Sequence, residues 1–501
     1  MMKTDVVVVG SGISGLTAAA LLARNGREVM IVERTSRPGG ALKRFVRQGV
    51  PFDVGLHYTG CLGDGEILTA LWDHLGVRPL LPIQPFPPQG HDSLSIAGCD
   101  QPVRAFFSYQ RLEEELGRRF PGERKAISGY LGVVAKICRR IPFYNLDLPL
   151  TPFLRGFQEP SIPLRNYLTE ITANPHLQAV FASPAFLYGV PLSRANLVIH
   201  AMVAHGFYSG AYTINGGGQA VVDAFLQVLA RTGVTLLAKN RVEKILVKGG
   251  SVAGVITDRE QVIHCRDVVY TGHPSAVPAM VPAEIFRPIY RTRLEDLHNT
   301  GSMFAVFAAA PEKNSAEPDW VNHYHLPAGA AILPETPQVP VEQRALMMTI
   351  PEHGPSSGLK NPNRGIILLR PAFWAETEKF RESTPRNRPP AYLAWKQELA
   401  AEMIAAAGRH WGDDYAALRP LAVGTPLTFR DELAAPEGAA YGAQHCLDQH
   451  NPGARTRLPG FWLSGQSTLM TGVVGAALAG MVSAGEILGL ESIWEQVRRC
   501  R

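Results

Sequence analysis

The chain has 501 residues, of which 46% are hydrophobic and 19% are charged, and its formal net charge is +5. This is the composition of a globular protein that is long enough to build more than one hydrophobic core. The small positive excess gives no argument for a nucleic-acid partner, because such partners require a clustered basic face. The six cysteines contain no Cys-x-x-Cys pair, so we expect reduced thiols in a cytoplasmic protein and no metal site.

A strand–helix–strand unit is predicted at the start of the chain. Val6 to Val9 is a continuous apolar run, which is typical of a strand buried on both faces. The pattern from Ser14 to Asn25 predicts a helix that ends at Gly26, and a second strand is expected from Glu28 to Glu33. This order predicts a βαβ unit and therefore a parallel sheet.

A glycine motif typical of dinucleotide binding connects the first strand to the helix. The motif consists of Gly10, Ser11, Gly12, Ile13, Ser14 and Gly15. Gly10 permits the tight turn, Gly12 lets the backbone approach a pyrophosphate, and Gly15 lets the helix pack closely on the strand. Glu33, at the end of the second strand, is expected to hold the ribose hydroxyls of the adenosine half. These residues by themselves leave FAD and NAD open.

Three later segments favour FAD. Gly39-Gly40 allow a second close approach to the pyrophosphate and the flavin, and Val242 lies on a strand whose backbone is expected to pair with adenine. Gly465-Gln466 precede a helix that begins at Gly472, and the N-terminus of that helix would stabilise negative charge on a reduced flavin. Beyond the glycine motif, the residues predicted to bind the cofactor are Glu33, Arg34, Gly39, Gly40, Ala41, Val242, Gly465, Gln466, Gly472, Val473 and Val474.

The chain is expected to leave and re-enter the cofactor domain twice. Residues Gln84 to Gln101 are rich in Pro and Gly, as expected of a crossing to a second domain. The stretch from 290 to 416 is again irregular and Pro-rich, with strands predicted near Phe304 to Ala308 and Ile366 to Leu369 and a helix around Ala394 to Ala407. We therefore predict an α/β protein with a discontinuous Rossmann-type FAD-binding domain and a second, substrate-binding α+β domain. The predicted segments are 1–85, 207–290 and 417–501 for the FAD-binding domain, and 86–206 and 291–416 for the substrate domain.

Several motifs resemble those of the phytoene desaturase, carotenoid isomerase and retinol saturase superfamily of FAD-dependent oxidoreductases. The segments Phe52 to Gly60, Gly424 to Thr428 and Ala434 to His445 are most similar to the retinol saturase-like branch, as is Gly465-Gln466. The resemblance covers both ends of the chain and the region around Gly216 to Pro274. It does not extend to residues 85–205 or 290–415, and it is therefore weakest where the substrate would bind.

The resemblance implies an FAD-dependent oxidoreductase that acts on carbon–carbon double bonds of a polyene or isoprenoid lipid, of the carotenoid or retinoid kind. Saturation, desaturation and isomerisation all follow from hydride transfer by the flavin, and the electron donor or acceptor is left open. His57, Tyr58 and Tyr441 are the candidate catalytic residues, because each can exchange a proton beside the flavin. The alternative roles are a structural histidine and core aromatic side chains.

An apolar lipid substrate implies peripheral contact with the inner face of a membrane. The apolar stretch from Gly472 to Leu490 contains five glycines and Glu486, so we interpret it as a buried helix and not as a membrane span. Two other functions are weighed. One is an amine oxidase-like enzyme on a soluble amine, which would use Lys43 beside the flavin, and the other is a non-catalytic flavin-binding protein.

Overall fold

The computed structural model describes residues 2–156, 161–311, 322–350 and 363–501. Its strands are β1 (Met2–Lys3), β2 (Val6–Val9), β3 (Val29–Glu33), β4 (Arg44–Arg47), β5 (Val50–Asp53), β6 (Ile83–Pro85), β7 (Asp92–Ile96), β8 (Val103–Ala105), β9 (Tyr212–Ile214), β10 (Thr235–Ala238), β11 (Val242–Lys248), β12 (Ser251–Thr257), β13 (Val262–His264), β14 (Asp267–Tyr270), β15 (Ser302–Pro311), β16 (Asn322–Leu326), β17 (Leu346–Thr349), β18 (Asn363–Ala372), β19 (Arg419–Gly424) and β20 (Phe461–Leu463).

Helices connect these strands and cover the sheets. They are α1 (Ile13–Arg24), α2 (Ile67–Leu75), α3 (Tyr109–Arg119), α4 (Arg124–Cys138), α5 (Leu150–Gly156), α6 (Leu164–Ile171), α7 (Pro175–Ala182), α8 (Leu197–Ser209), α9 (Gly217–Arg231), α10 (Val277–Met280), α11 (Pro288–Glu295), α12 (Pro390–Trp411), α13 (Asp413–Ala416), α14 (Pro426–Leu433), α15 (Gly472–Leu488) and α16 (Leu490–Arg498). In the described ranges, no helix is both long and apolar enough to cross a bilayer.

A five-stranded parallel sheet, in the order β10-β3-β2-β14-β20, forms the centre of the cofactor-type half. Val6 and Val8 of β2 face a core shared with α1, α9 and α15, whereas Val7 faces a core shared with a second sheet, β1-β13-β12-β11. Both faces of β2 are therefore buried, which explains its unbroken run of valines. The predicted βαβ unit and the α/β class are confirmed, and α1 begins and ends one residue before its predicted bounds.

A seven-stranded sheet, in the order β19-β15-β18-β17-β16-β7-β8, forms the other half. Its neighbouring strands are antiparallel, except that β16 and β7 run parallel. Alternate side chains separate its two faces: Met347 faces a core shared with helices α3, α4, α6, α7 and α8, and Met348 faces a core shared with α12. The two cores hold the sheet between a helical layer and a single long helix.

The regions that the sequence pattern predicts as largely irregular contain five strands of the seven-stranded sheet. β15 and β18 include the strands predicted near Phe304 to Ala308 and Ile366 to Leu369, whereas β7, β16 and β17 had no predicted counterpart. The helix expected at Ala394 to Ala407 extends to Pro390–Trp411, with proline in its first turn, where its missing N–H costs nothing. The exact bounds of the five predicted domain segments stay a prediction.

Candidate active site

One cavity of about 900 Å³ lies between the two halves of the molecule. At one end its wall is formed by the turns that follow β2 and β3 of the parallel sheet. At the other end it is formed by Met303, Met347 and Leu369, on β15, β17 and β18 of the seven-stranded sheet. Its volume lies in the upper part of the range usual for sites that bind cofactors and small molecules.

The cavity brings together every site residue predicted from the sequence except Gly15. From the cofactor set it is lined by Gly10, Ser11, Gly12, Ile13, Ser14, Glu33, Arg34, Gly39, Gly40, Ala41, Val242, Gly465, Gln466, Gly472, Val473 and Val474, and from the catalytic set by His57, Tyr58 and Tyr441. Gly15 lies behind the wall, inside α1. The contacts of these residues with a bound molecule stay predictions.

The three glycines of the N-terminal motif each meet a different steric demand. Gly10 has a φ of +99°, which few residues other than glycine adopt. A Cβ atom on Gly15 would lie 2.1 Å from the carbonyl oxygen of Gly10 and 3.3 Å from a methyl group of Val8, so only glycine lets α1 lie this close to β2. A Cβ atom on Gly12 would meet no described atom within 4 Å, because this position faces open space.

Two helices direct their N-termini at the cavity. Gly12 precedes α1 and Thr471 precedes α15, and neither residue caps its helix with a side-chain hydrogen bond from the described part of the chain. The first N–H groups of a helix have no partner within the helix, and they carry partial positive charge. The space beside each of these helix N-termini therefore suits an anionic group, such as a pyrophosphate or a reduced flavin ring.

Glu33 is held in place by four hydrogen bonds. One carboxylate oxygen accepts from the N–H and the hydroxyl of Ser11, at 3.0 and 2.6 Å, and the other accepts from the N–H and the hydroxyl of Thr35, at 2.8 and 2.7 Å. Burial acts to raise the pKa of this carboxyl, but the hydrogen bonds outweigh burial and lower its pKa. Glu33 is therefore a fixed anion, as an acceptor for ribose hydroxyls must be.

The remaining predicted cofactor residues surround the same end of the cavity. The guanidinium of Arg34 donates to the backbone carbonyl of Glu432, which ties the loop after β3 to the end of α14. Val242 begins β11, where it pairs with Thr257. Gly465 has a φ of +101° and turns the chain after β20 towards α15.

His57 borders both the main cavity and a very small pocket of about 10 Å³ beside Asp53. Its Nδ1 is buried, and no described residue forms a hydrogen bond with it. Burial lowers the pKa of His57, while the nearby carboxylate of Asp53 opposes this shift. Asp53 is itself fixed, because it accepts hydrogen bonds from Arg44 at 2.7 Å and from the N–H of Gly218 at 3.0 Å.

Tyr58 and Tyr441 differ in what their hydroxyl groups contact. The Tyr441 hydroxyl donates to the backbone carbonyl of Phe186 at 3.2 Å, so it anchors a wall of the cavity. The Tyr58 hydroxyl lies 3.0 Å from a carboxylate oxygen of Asp92 and 2.9 Å from the hydroxyl of Tyr324. Tyr58 is thus connected to titratable side chains, and Tyr441 to the backbone alone.

Sequence reasoning missed the polar groups behind Tyr58. Asp92 is the first residue of β7, Tyr324 lies in β16, and the amide of Asn322 donates to Asp92 at 2.9 Å. These residues come from regions where no strand was expected at their positions. The alternation His323-Tyr324-His325 was the available signal, because it places Tyr324 on the opposite face of β16 from the two histidines.

The comparison with protein families decides the class of this site. The family described as flavin containing amine oxidoreductase matches residues 13–359. The chain belongs to the flavin-containing amine oxidoreductase family. Its cofactor is FAD, as predicted, and the uncapped helix ends, the fixed Glu33 and the open face at Gly12 fit that cofactor.

Curated relatives match either most of this chain or about half of it. All-trans-retinol 13,14-reductase of Rattus norvegicus is 25% identical over 528 residues, which cover 97% of this chain and 86% of the reductase. Prolycopene isomerase 1 of an Oncidium hybrid cultivar is 28% identical and covers 50% of this chain and 45% of its own. Hydroxyneurosporene desaturase of Rubrivivax gelatinosus is 27% identical and covers 54% of each chain. The predicted membership in the phytoene desaturase and retinol saturase superfamily is confirmed.

Solved structures of flavin-containing amine oxidoreductases and their relatives share the fold. An oxidoreductase from Methanosarcina mazei superposes with a TM-score of 0.64 at 16% identity, covering 96% of this chain and 99% of its own. Putrescine oxidase bound to putrescine superposes with a TM-score of 0.63 at 16% identity, covering 97% and 99%. At this level of identity the likeness establishes the fold alone, and it carries no conclusion about an amine substrate.

Proposed function

We propose that this protein is an FAD-dependent oxidoreductase that acts on a carbon–carbon double bond of a polyene or isoprenoid lipid, of the carotenoid or retinoid kind. The observation that carries the proposal is the continuity of the cavity. Backbone groups suited to FAD and apolar side chains line one and the same cavity. A long apolar molecule could therefore reach the flavin without contact with water.

The apolar end of the cavity has the composition that a polyene requires. It is lined by Phe186, Leu187, Met202, Val203, Phe207, Met303, Met347, Leu369 and Phe429. Methionine side chains adapt to irregular shapes, and aromatic rings pack against a conjugated chain. Lys43, the residue considered for an amine oxidase role, lies beside Gly39 at the other end.

The direction of the reaction is proposed to be reduction of the double bond. The retinol reductase of rat matches nearly the whole chain, whereas the isomerase and the desaturase match about half of it. When bound and reduced, FAD supplies a hydride to one carbon of the double bond. The protein holds the lipid against the flavin, excludes water from the cavity, and supplies a proton to the neighbouring carbon.

We assign the predicted residues the following roles within this proposal. The turn from Gly10 to Gly15 and the start of α1 would hold the pyrophosphate, and Glu33 would hold the ribose. The start of α15, at Gly472, would stabilise negative charge on a reduced flavin. Tyr58 is the proton donor, because its hydroxyl joins a buried carboxyl, and His57 closes the cavity beside the flavin.

Anaerobic mixing of the reduced holoenzyme with candidate substrates tests the proposal. Flavin absorbance should return within the mixing experiment when all-trans-retinol or a carotenoid is added, and mass spectrometry should find a product heavier by two hydrogens. Putrescine and benzylamine serve as the contrasting set, added to the oxidised enzyme. Bleaching of the flavin by an amine, with no reoxidation by any polyene, would replace the proposal with an amine oxidase.

We also propose that the protein collects its lipid at the inner face of a membrane by peripheral contact. On α11, Ile289 has 79% of its surface exposed, and the neighbouring Arg287 and Arg293 are exposed as well. An apolar side chain flanked by arginines suits a surface of anionic lipids. The protein should sediment with phosphatidylglycerol vesicles at low salt, and Ile289→Ser should weaken this binding more than Leu393→Ser, which removes another exposed apolar side chain. Recovery in the supernatant at low salt would contradict the contact.

A further inference from the structure

We propose that Asp92 is a positioning residue that stores the proton which Tyr58 delivers to the substrate. This inference rests on the proposed function and adds to it the source of the proton. It assigns a purpose to a buried carboxyl that the binding of FAD does not require. It also explains why the Tyr58 hydroxyl lies within hydrogen-bond distance of two titratable side chains, Asp92 and Tyr324.

Asp92 lies behind Tyr58 as seen from the cavity. Tyr58 lines the cavity, and its hydroxyl lies 3.0 Å from the carboxyl of Asp92, which does not line it. The other oxygen of Asp92 accepts a hydrogen bond from the amide of Asn322 at 2.9 Å, and Thr349 in turn donates to Asn322 at 2.8 Å. The carboxyl is therefore fixed on one side and directed at Tyr58 on the other.

The surroundings of Asp92 favour the neutral acid. Asp92 is buried, and within the described ranges no lysine or arginine forms an ion pair with it; only His91 approaches, at 3.6 Å. Burial raises the pKa of Asp92, while His91, Asn322 and Tyr58 oppose this shift. Burial also lowers the pKa of His91, so this histidine is a poor source of positive charge.

Two tyrosines besides Tyr58 face this carboxyl. Tyr324 approaches from β16, and its hydroxyl lies 2.9 Å from that of Tyr58. Tyr208 of α8 is close enough for the charge of Asp92 to raise the pKa of its hydroxyl. On β8, Ala105 is the register partner of Asp92, and Arg104 is the partner of the next residue along β7. The side chains that face Asp92 are thus mostly neutral. Such surroundings suit a protonated carboxyl and not a permanent ion pair.

Each bond formed in the proposed reduction has a matching bond broken. When bound and reduced, FAD would supply the hydride, with both electrons, for the C–H bond at one carbon. The O–H bond of Tyr58 breaks, and its proton forms the C–H bond at the neighbouring carbon. The carboxyl proton of Asp92 then restores the Tyr58 hydroxyl and leaves a carboxylate, which regains a proton from solvent before the next turnover. The double bond would thus gain a hydride and a proton, and one proton from solvent is the only other reactant.

Infrared spectroscopy of the holoenzyme at neutral pH tests the stored proton without turnover. The wild type should show the carbonyl stretch of a buried protonated carboxyl, and Asp92→Asn should lack it. Tyr58→Phe should keep the band but shift it, because the hydrogen bond to the carboxyl is lost. Absence of any protonated carboxyl that depends on Asp92 would overturn the inference, whatever the substrate proves to be.

The pH dependence of flavin reoxidation by a polyene tests the delivery of the proton. In the wild type the rate should fall as the pH rises through the pKa of Asp92. Asp92→Asn should lower the rate about 100-fold, the lower part of the range for general acid catalysis, and remove this fall. Tyr188→Phe is the matched control, because it removes another buried tyrosine hydroxyl, 3.0 Å from His200, outside the cavity wall; its pH profile should match the wild type.

The outcomes separate this inference from the proposed function. If no polyene reoxidises the wild type but the infrared band depends on Asp92, the proposed substrate is wrong and the stored proton stands. If polyenes react and Asp92→Asn keeps the wild-type pH profile, the inference is wrong and the function stands. Should Asp92→Asn fail to fold, Tyr324→Phe decides, since loss of its hydroxyl must shift the profile if the network delivers the proton; an unshifted profile overturns the inference.

Discussion

The two ends of the cavity are built from different materials. The cofactor end is made chiefly of backbone: glycine turns, two helix N-termini, and a single fixed carboxylate, Glu33. The substrate end is made of side chains, with methionine and aromatic groups on the wall and the Tyr58–Asp92 network behind it. A wall of backbone suits a cofactor that never changes, whereas a wall of side chains can be altered to suit a different lipid without disturbing the flavin.

This contrast predicts that the two ends fail differently when they are changed. At the cofactor end, a single added methyl group can abolish binding, because the fit depends on atoms that cannot move aside. At the substrate end, a substitution should alter affinity or rate while FAD stays bound. The predictions below test that independence, beginning with the largest expected effect.

The largest effect is expected from alanine in the glycine motif. In Gly15→Ala the new Cβ atom would lie 2.1 Å from the backbone oxygen of Gly10, so α1 must move off β2. We expect loss of bound FAD. We also expect a lower melting temperature of the apoprotein, because overpacking lowers the free energy of unfolding by about 1–3 kcal/mol or more. In Gly12→Ala the Cβ atom meets only open space, so the apoprotein should melt as the wild type does.

FAD titration separates these two substitutions. Gly12→Ala should weaken FAD binding about 100-fold, because it displaces the pyrophosphate from hydrogen bonds to charged groups that are worth about 1.5–3 kcal/mol each. Gly129→Ala is the control, because Gly129 is an exposed residue in the middle of α4. It should leave FAD affinity unchanged while stabilising the fold by about 0.5–1 kcal/mol. Wild-type FAD affinity in Gly12→Ala would show that this turn does not contact the cofactor.

The cofactor end could be predicted from the sequence because its signals are local. Gly10, Gly12 and Gly15 lie within six residues between a strand and a helix, and the steric demand on each can be derived from that context alone. The later segments at Val242 and Gly465 are far apart in sequence. The structure brings them to the same cavity, and their contacts with FAD stay a prediction.

The substrate end could not be predicted in the same way. Asp92, Asn322 and Tyr324 meet only because β7 and β16 run parallel as neighbours, although 230 residues separate Asp92 from Asn322. No local pattern encodes that pairing. The prolines around Asp92 also favour the prediction of a loop over that of strand β7, because a turn-rich composition is the usual sign of a loop. A buried carboxyl is recognised only once the fold shows what surrounds it.

An intermediate effect is expected on the seven-stranded sheet, where adjacent methionines face opposite sides. Met347→Gln should place an amide on the wall of the cavity and raise the KM for a polyene about tenfold, with FAD content unchanged. Met348→Gln should instead place an amide in the core against α12. It should lower the free energy of unfolding by about 1–3 kcal/mol, because the buried amide lacks partners, and leave KM unchanged.

Steady-state kinetics and urea unfolding of the same two variants provide the comparison. The design controls for residue type, since both positions change methionine to glutamine and both are buried in the wild type. Equal effects of the two substitutions on KM would show that the polyene does not lie along this face of β17. Loss of FAD from Met347→Gln would show that the two ends of the cavity are not independent.

The smallest effect is expected from His200, behind the substrate end. Its ring lies 2.9 Å from the hydroxyl of Tyr130 and 3.0 Å from that of Tyr188, and burial lowers its pKa to about 4, while a backbone contact at Phe181 opposes the shift. Because the unfolded histidine binds a proton near pH 6.5, the stability that His200 contributes is full above pH 6.5 and is lost as the pH falls towards 4.

Urea unfolding between pH 7 and 4.5 tests this. As the pH falls, the free energy of unfolding should decrease less steeply in His200→Gln than in the wild type. The difference should reach on the order of 2 kcal/mol at pH 4.5, at about 1.4 kcal/mol for each pH unit below 6.5. Tyr188→Phe removes one hydrogen bond but keeps the histidine, so its stability should be lower at every pH with the wild-type slope. Parallel curves for wild type and His200→Gln would mean that folding does not lower the pKa of His200, so that the ring takes up a proton as readily in the folded protein as in the unfolded chain. The helical layer behind the substrate end would then tolerate charge, and the neutral surroundings on which the proton stored at Asp92 depends would have to be questioned as well.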